Sequence, residues 1–596
     1  VESSPLANVE LHLVDNMETA MEFFRWLGTQ HEYNLIGLDT ESGGLSPYND
    51  RIRMVQFGDT RHGWAIPTET WSGVAVEAMQ RYEGDYVLHN SGYDWQVIAE
   101  NLGVFLPWHK LEDTAALAHL KNPNRPRALK VLGDILVDPR SSAGQYALHD
   151  GMAKQGWTWD TIPYNFDPYW IYSALDPVLT MHIYGKVGDA ATRYAQPYDI
   201  ERAAIRYTAE MSRRGCLVDR AYVNQKIDEL SQYIERAKKW LAKEYGCTSV
   251  NSALQIAAAL ESDGIEIQFW TNTGKPQMDK DALKFYRNLA DSGNGDASQL
   301  ISVISGVRKA EKMIGTYFNN FLEMIGSDDR LHCSIHPCAA VTSRMSISDP
   351  SMQNLPTDDR LVRGAIIAEP GHTLISADFN QVEMRLAADF SGDANLIETF
   401  RLADLPGGKP FFLQVAADIF GEDITKLDKR YGLTKNVGYG YLFGAGLEKM
   451  AKTAGVRPDE MRPVRDAFLS RYPGLEVMSR AIIREGERLA AAGEVPCVYT
   501  PTGRRLTVDA GKEYVLVNRK IQAHAAEVLK LSGVGLDKAG LIDYTLLPIH
   551  DEYLFSVPTE IAKDFRREVE AVMRFENYKV PITAGADILG ERWVKA

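Results

Sequence analysis

A chain of 596 residues exceeds the roughly 250–300 residues at which a single core stops growing, so two or more cores are expected. Apolar residues at 45% and charged residues at 24% exclude a disordered or fibrous chain, and no apolar run approaches a membrane span or a secretory leader, which predicts a cytosolic protein. The formal charge of −15 argues by itself against a nucleic-acid partner, but it misleads where carboxylates cluster for metals, and basic residues concentrate around Arg308, Lys309 and Lys312 and again at Lys429, Arg430 and Lys435.

The first part of the chain alternates strands and helices. Residues 34–39 (NLIGLD), 52–57 (IRMVQF) and 86–89 (YVLH) read as strands and 169–186 as an amphipathic helix, which is α/β order. From about residue 198 the pattern turns helical, with long charged segments over 200–244 and 303–325, and a boundary falls near 190–200. Further on, 373–378 (TLISAD) and 544–549 (YTLLPI) are apolar strands in otherwise helical surroundings, which suggests a sheet platform flanked by helical lobes. The five cysteines, Cys216, Cys247, Cys333, Cys338 and Cys497, are odd in number and sparse, as in a reducing compartment. His332, Cys333, His336 and Cys338 alternate as on a strand, and no second ligand pair follows at finger spacing, so they read as structural rather than as a zinc site.

Two groups of residues carry chemistry. In the first, Asp39-Thr-Glu41 ends a strand with both acids on one side, Asn90-Ser-Gly-Tyr-Asp94 follows another strand, and Tyr172-Ser-Ala-Leu-Asp176 puts two side chains on one helix face. Four converging carboxylates repel unless cations neutralise them, and hard oxygen ligands select Mg²⁺ or Mn²⁺. That donor set suits two-metal phosphodiester hydrolysis. In the second group, TLISAD ends in Asp378 and leads to Glu383, while a later strand runs into His550-Asp551-Glu552 and out through YLFSV. Between them Lys435, Tyr439 and Phe443 recur every four residues as one helical stripe flanked by glycines, an open face suited to grip a phosphate and stack on a base.

The first group resembles the exonuclease motifs of the DEDD superfamily in its tyrosine-bearing subclass. By that resemblance Asp39, Glu41, Asp94 and Asp176 hold two Mg²⁺ ions, Tyr172 with Glu41 orients the attacking water, and the domain is ribonuclease-H-like. The second group resembles motifs A, B and C of family A DNA polymerases, as do Thr342-Ser-Arg344 through Gln353-Asn354-Leu-Pro and Asn518-Arg-Lys-Ile-Gln522. The resemblance implies a multidomain α/β and α+β fold, with an exonuclease domain over 1–195 followed by a right-hand polymerase domain over 196–596, its thumb about 196–330 and its palm and fingers about 331–596. It implies template-directed primer extension with dNTPs on primer-template DNA, and 3′-to-5′ proofreading. Asp378 and Asp551 would hold two Mg²⁺ ions, for which Mn²⁺ can substitute. Lys435 would contact the triphosphate, Tyr439 the sugar, Phe443 the template base, and Glu383 would exclude a 2′-OH; Arg344, Gln522 and Asn518 would lie along the primer end, His550 at its terminus, with Gln353 and Asn354 also contacting substrate.

The chain departs from the family at three places. Tyr431 stands where an arginine usually precedes the motif B lysine, with Arg430 one place earlier; Phe412 replaces a phosphate-binding histidine; and Phe443 replaces a tyrosine, so Glu383 loses its expected hydroxyl partner. With only some 34 residues before the first strand no 5′-nuclease region is expected, and 200–325 is too short for the thioredoxin-binding insertion of some phage relatives. The layout resembles a bacteriophage replicative polymerase acting in the host cytoplasm beside replisome proteins, with an organellar enzyme as the second reading. A nuclease-only enzyme leaves Asp378, Asp551 and the Lys435 stripe unexplained, and a single-subunit RNA polymerase needs neither Glu383 as a sugar gate nor a proofreading domain.

Overall fold

The computed structural model describes residues 6–30, 34–291, 295–355 and 360–594; Pro356 of the Gln353-Asn354-Leu-Pro segment lies outside them. The chain forms two compact units, one of Val1–Gly215, His332–Ser348 and Glu485–Asp551, the other of Cys216–Leu331, Asp349–Arg484 and Glu552–Ala596. Among the described residues no helix is long and apolar enough to cross a membrane.

The first unit is organised by a six-stranded sheet of β1 (Glu10–Leu13), β2 (Leu35–Ser42), β3 (Ile52–Gly58), β4 (His62–Pro67), β5 (Asp85–Leu88) and β6 (Leu111–Asp113), in the order β1-β4-β3-β2-β5-β6. β3 alone runs antiparallel to its neighbours, and the other pairs are parallel. This is the mixed sheet of a ribonuclease-H-like fold with β1 added at one edge. β3 is buried along its whole length, as expected of an interior strand covered on both faces. The three expected strands are present, but β1, β4 and β6 escape the sequence pattern because ELHL, HGWAIP and LED are short and mixed, and pairing rather than propensity makes them strands.

Among the helices of this unit that bury a charged side chain, α1 (Leu129–Leu136) buries Lys130, α2 (Asp167–Val187) buries Asp176, and α3 (Ala195–Arg214) buries Glu201. The segment 200–244, read as one helical stretch, is broken. α3 ends at Gly215, whose φ of 67° lies in the left-handed region that glycine tolerates, and a new helix starts at Arg220 after Asp219 accepts from the Tyr222 amide.

Glu201 has no exposed surface. Its carboxylate accepts from Lys530 Nζ at 2.7 and 2.8 Å, from Ser343 Oγ at 2.6 Å and from Arg504. Arg504 also donates to Glu527 at 2.8 Å, and Glu527 meets His524 at 3.1 Å. Lys530, Glu527 and His524 lie on the Val515–Lys538 helix, so one ion network joins chain segments far apart in sequence. Nearby, His119 is buried and bonds to the Ala340 carbonyl at 3.0 Å.

The second unit pairs β7 (His372–Phe379) antiparallel with both β8 (Glu552–Pro558) and β9 (Ala584–Gly590). The helices Val382–Ser391, here α4, and Lys429–Leu442, here α5, belong to it. A separate apolar cluster, including Leu241, Ile256, Tyr286 and Ile304, gives residues 237–307 a small core of their own.

The network sets an acid limit. Burial alone would raise the Glu201 pKa, but Lys530 and Arg504 pull it down to about 2 from an ordinary 4.5, while burial and then Arg504 and Arg127 push His119 down to about 3 from 6.5. Both folded values lie below the unfolded ones, so the stability they supply is complete at neutral pH and is lost on acidification, from about 6.5 downward for His119 and from about 4.5 toward 2 for Glu201. Glu201→Gln should cost about 3–5 kcal/mol at neutral pH, because it leaves buried cations undercompensated. Urea melts should show that deficit narrowing as pH falls below about 4.5; a deficit independent of pH would place the cost in packing instead.

Candidate active sites

Asp39 and Glu41 are alternate residues of β2 and therefore point to one face. Tyr172 and Asp176 lie one turn apart on α2. Carboxylate oxygens of Asp39, Glu41 and Asp176 come within 4.8 Å of one another. Asp94, in the first turn of the Ser91–Leu102 helix, is buried and accepts from Thr40 Oγ1 at 2.7 Å.

Bare backbone brings α2 so near the sheet. A Cβ on Gly37 of β2 would stand 2.5 Å from the Pro177 carbonyl oxygen, one on Gly58 of β3 would stand 3.2 Å from Pro177 Cβ, and one on Gly63 of β4 would run into the Ala174 carbonyl. Three strands thus present glycine where the helix lies, and Asp176 reaches the acids of β2.

Burial is the largest influence on all four acids and raises each of them. Asp39 is pushed well up, with Asp94, Asp176 and Glu41 adding to the effect; Glu41 rises to about 8 and Asp94 to about 7; Asp176 is also raised, although Lys130 opposes it. Burial, then Asp176, Glu41 and Asp39, raise the Tyr172 phenol, which stays neutral. Oxygen donors that resist joint ionisation without added positive charge fit hard divalent cations.

The sequence reading missed Lys130. It sits in the first turn of α1, 7% exposed, donates to Asp176 and holds its ammonium 4.0 Å from the centroid of the Tyr172 ring. A lysine beside Arg125 and Arg127 looks like basic surface, and no spacing rule marks it.

The other candidate residues fall in both units. In the second, Asp378 is next to last in β7, in register with Glu552, which accepts from Ser376 Oγ at 2.5 Å. Glu383 is buried in the first turn of α4. On α5, Lys435 is exposed and Tyr439 partly so, and Phe443 just beyond is 42% exposed, while Leu433, Thr434, Val437, Gly438 and Leu442 are buried behind them. The Tyr439 ring lies 5.3 Å from that of Phe412 and stacks with Phe443 at 6.0 Å. Arg430 is paired with Asp428 and Glu422. Gln353 and Asn354 form a short helical turn, with the Tyr317 hydroxyl donating to the Asn354 carbonyl at 2.8 Å. In the first unit Arg344 is exposed beside Ser343, Asn518 and Gln522 lie one turn apart and half-buried on the Val515–Lys538 helix, and His550 and Asp551 precede Glu552 in the chain.

Residues 220–595 match the family model of DNA polymerase family A. The chain is 30% identical to the DNA polymerase of Mycobacterium phage D29 over 98% of its own length and 97% of that protein's. The chain belongs to DNA polymerase family A. Identity is 29% to the DNA polymerase of Mycobacterium phage L5, over 97% of this chain and 95% of that one, and 26% to DNA polymerase I of Pseudomonas aeruginosa, over 96% of this chain and 65% of that one. A solved structure described as the POL domain of Pol1 from M. smegmatis in complex with DNA primer-template and dNTP shares the fold, with a TM-score of 0.76, 21% identity and coverage of 95% of this chain and 97% of that one.

In this family A polymerase the glycine surface under α2 is open to test. Gly37→Ala should cost about 1–3 kcal/mol by forcing helix and strand apart, and should weaken stabilisation of the protein by Mn²⁺ in thermal melts. Gly28→Ala, in a helix with open space around it, serves as control and should be neutral or stabilising. Equal melting of the two variants would show that the close approach does not hold Asp176 in place.

Proposed function

We propose that this polymerase extends a primer along a template with dNTPs by two-metal phosphoryl transfer and removes 3′ ends at a separate exonuclease site. The observation that carries the second activity is the meeting of Asp39, Glu41 and Asp176 on a ribonuclease-H-like sheet, with Tyr172 one turn from Asp176. Residues 1–195 would be the exonuclease domain and 196–596 the polymerase domain, with the thumb in about 196–330. Matches nearly end to end with two mycobacteriophage polymerases support a phage replicative enzyme working in the host cytoplasm.

In the exonuclease site Asp39, Glu41, Asp94 and Asp176 would hold Mg²⁺ or Mn²⁺, which supplies a hydroxide nucleophile and neutralises charge on the leaving oxygen. The protein's own part is to bring the carboxylates together before substrate arrives and to hold the neutral Tyr172 hydroxyl where it orients water with Glu41. In the polymerase site Asp378 and Asp551 would hold the ions, the roles that the match to the family model over 220–595 supports. Lys435 would contact the triphosphate, Tyr439 the sugar and Phe443 the template base, consistent with their shared accessible face. Glu383 would exclude a 2′-OH, and Arg344, Asn518, Gln522, His550, Gln353 and Asn354 would contact primer-template DNA. Phosphoryl transfer asks for positioning and charge neutralisation more than covalent help, which this residue set supplies.

Asp39→Ala with Glu41→Ala should abolish degradation of single-stranded 3′ ends and spare primer extension, whereas Asp551→Ala should do the reverse. Trimming near the original rate in the double variant would remove the first site from the reaction. Tyr439 gives a finer test. One turn beyond Lys435, its hydroxyl would replace the contact that a dideoxynucleotide loses with its 3′-OH, so the enzyme should accept ddNTPs readily and Tyr439→Phe should discriminate. A charge-assisted contact of roughly 1.5–3 kcal/mol corresponds to about one or two orders of magnitude in the ddNTP/dNTP ratio of kcat/KM. Strong discrimination by the unaltered enzyme, measured in the exonuclease-deficient background, would show that this side chain does not reach the sugar.

A further inference from the structure

Lys130 is held in the carboxylate site rather than resting against it. α1 packs on α2 so closely that a Cβ on Gly133 would stand 2.8 Å from Leu179 Cδ2 and 2.9 Å from Ser141 Cβ. Gly133 lies one turn beyond Lys130, and Leu179 one turn beyond Asp176, so the packing that presses Gly133 on Leu179 delivers Lys130 to Asp176. Leu132 and Leu179 share one apolar cluster, and Asp134 anchors the far end of α1 by accepting from the Ser142 amide at 2.9 Å. The Lys130 and Asp176 side chains are 9% and 5% exposed. The ammonium therefore cannot swing to solvent without moving α1. It faces Asp176 and the Tyr172 ring, and its charge also acts on Asp39 and Glu41.

We propose that Lys130 is a resident cation of the exonuclease site, which holds Asp176 and Tyr172 in place before metal arrives and, by its own charge, weakens the site's affinity for divalent metal. The name of the site rests on the exonuclease reading; the effect on metal does not. The two roles have opposite signatures. If Lys130 were only a packing ion pair, removing it would loosen the carboxylates and weaken metal binding. As a competing positive charge in contact with one of the carboxylates that would hold the ions, its removal tightens binding, since a unit charge at contact range is worth a large factor even at high effective dielectric.

The experiment is calorimetric titration of the full-length protein with Mn²⁺, with the titration of the Asp39→Ala, Glu41→Ala protein subtracted so that ions bound elsewhere do not contribute. Lys130→Met, of similar length and without charge, is expected to lower the Mn²⁺ dissociation constant by about tenfold or more while lowering the melting temperature of the metal-free protein. Lys130→Arg, which keeps the charge, should stay within about twofold of the unaltered protein. If Lys130→Met does not fold, Lys130→Gln carries the same expectation. Unchanged or weaker Mn²⁺ binding in the uncharged variant overturns the proposal. Tighter Mn²⁺ binding in a protein that trims no 3′ ends supports the role of Lys130 and overturns the exonuclease reading alone. At saturating Mg²⁺, Lys130→Met should trim more slowly through a fall in kcat, with Lys130→Arg restoring part of the rate.

Discussion

Glu201 sits on α3 with no exposed surface, and an ionised carboxylate there would be strongly disfavoured were it not met by Lys530, Arg504 and the Ser343 hydroxyl. Ser343 comes from one later stretch of chain and Arg504 and Lys530 from another, the most distant 329 residues away. The first unit depends on this meeting. Residues 332–348 and 485–551 are separated from 1–215 by long excursions into the second unit, yet they close around one buried charge. Glu527 and His524 extend the constraint along the Val515–Lys538 helix, the same helix that presents Asn518 and Gln522 one turn apart.

The carboxylate cluster around Asp39 poses the same electrostatic problem and answers it differently. Around Glu201 the chain supplies Lys530 and also Arg504, which is shared with Glu527, and the acid is held ionised far below its ordinary range. Around Asp39 the chain supplies four carboxylates and, close by, Lys130, and burial with mutual repulsion drives the acids the other way. A structural ion network is complete as folded, whereas a metal site must be left deficient in positive charge if it is to take up ions. The direction of the shift thus differs between the two groups of buried acids within one unit.

The carboxylates of the site were legible because their spacing follows backbone periods, two for Asp39 and Glu41 on a strand and four for Tyr172 and Asp176 on a helix. Their convergence was not. It comes from Gly37, Gly58 and Gly63, which lie on three strands and share no sequence pattern, and from Gly133 between α1 and α2. β1, β4 and β6 went unread because their neighbours in the sheet make them strands, and the stretch over 200–244 read as one helix because a helical pattern cannot register a single glycine with positive φ. Nor does chain order reveal that residues 485–551 return to the first unit, since the ion pairs responsible link residues hundreds of positions apart.

The departures from the family pattern on α5 act together rather than one by one. Where the family has an arginine four residues before Lys435 this chain has Tyr431, and the adjacent Arg430 is occupied by Asp428 and Glu422, so any anion it took up would have to displace two carboxylates. Where the family has a histidine this chain has Phe412, buried and packed against Tyr439 and close to Gly438. Phe412 gives up a hydrogen bond and gains an aromatic contact that holds the Tyr439 ring, and Phe443 stacks with the same ring. The face is left with Lys435 exposed at one end and a run of three stacked or tilted rings beyond it. On this face the exposed Lys435 ammonium is flexible, while the positions of the rings are set by one another. The departures at Phe412 and Phe443 therefore exchange polar groups for mutual aromatic packing around Tyr439 of α5.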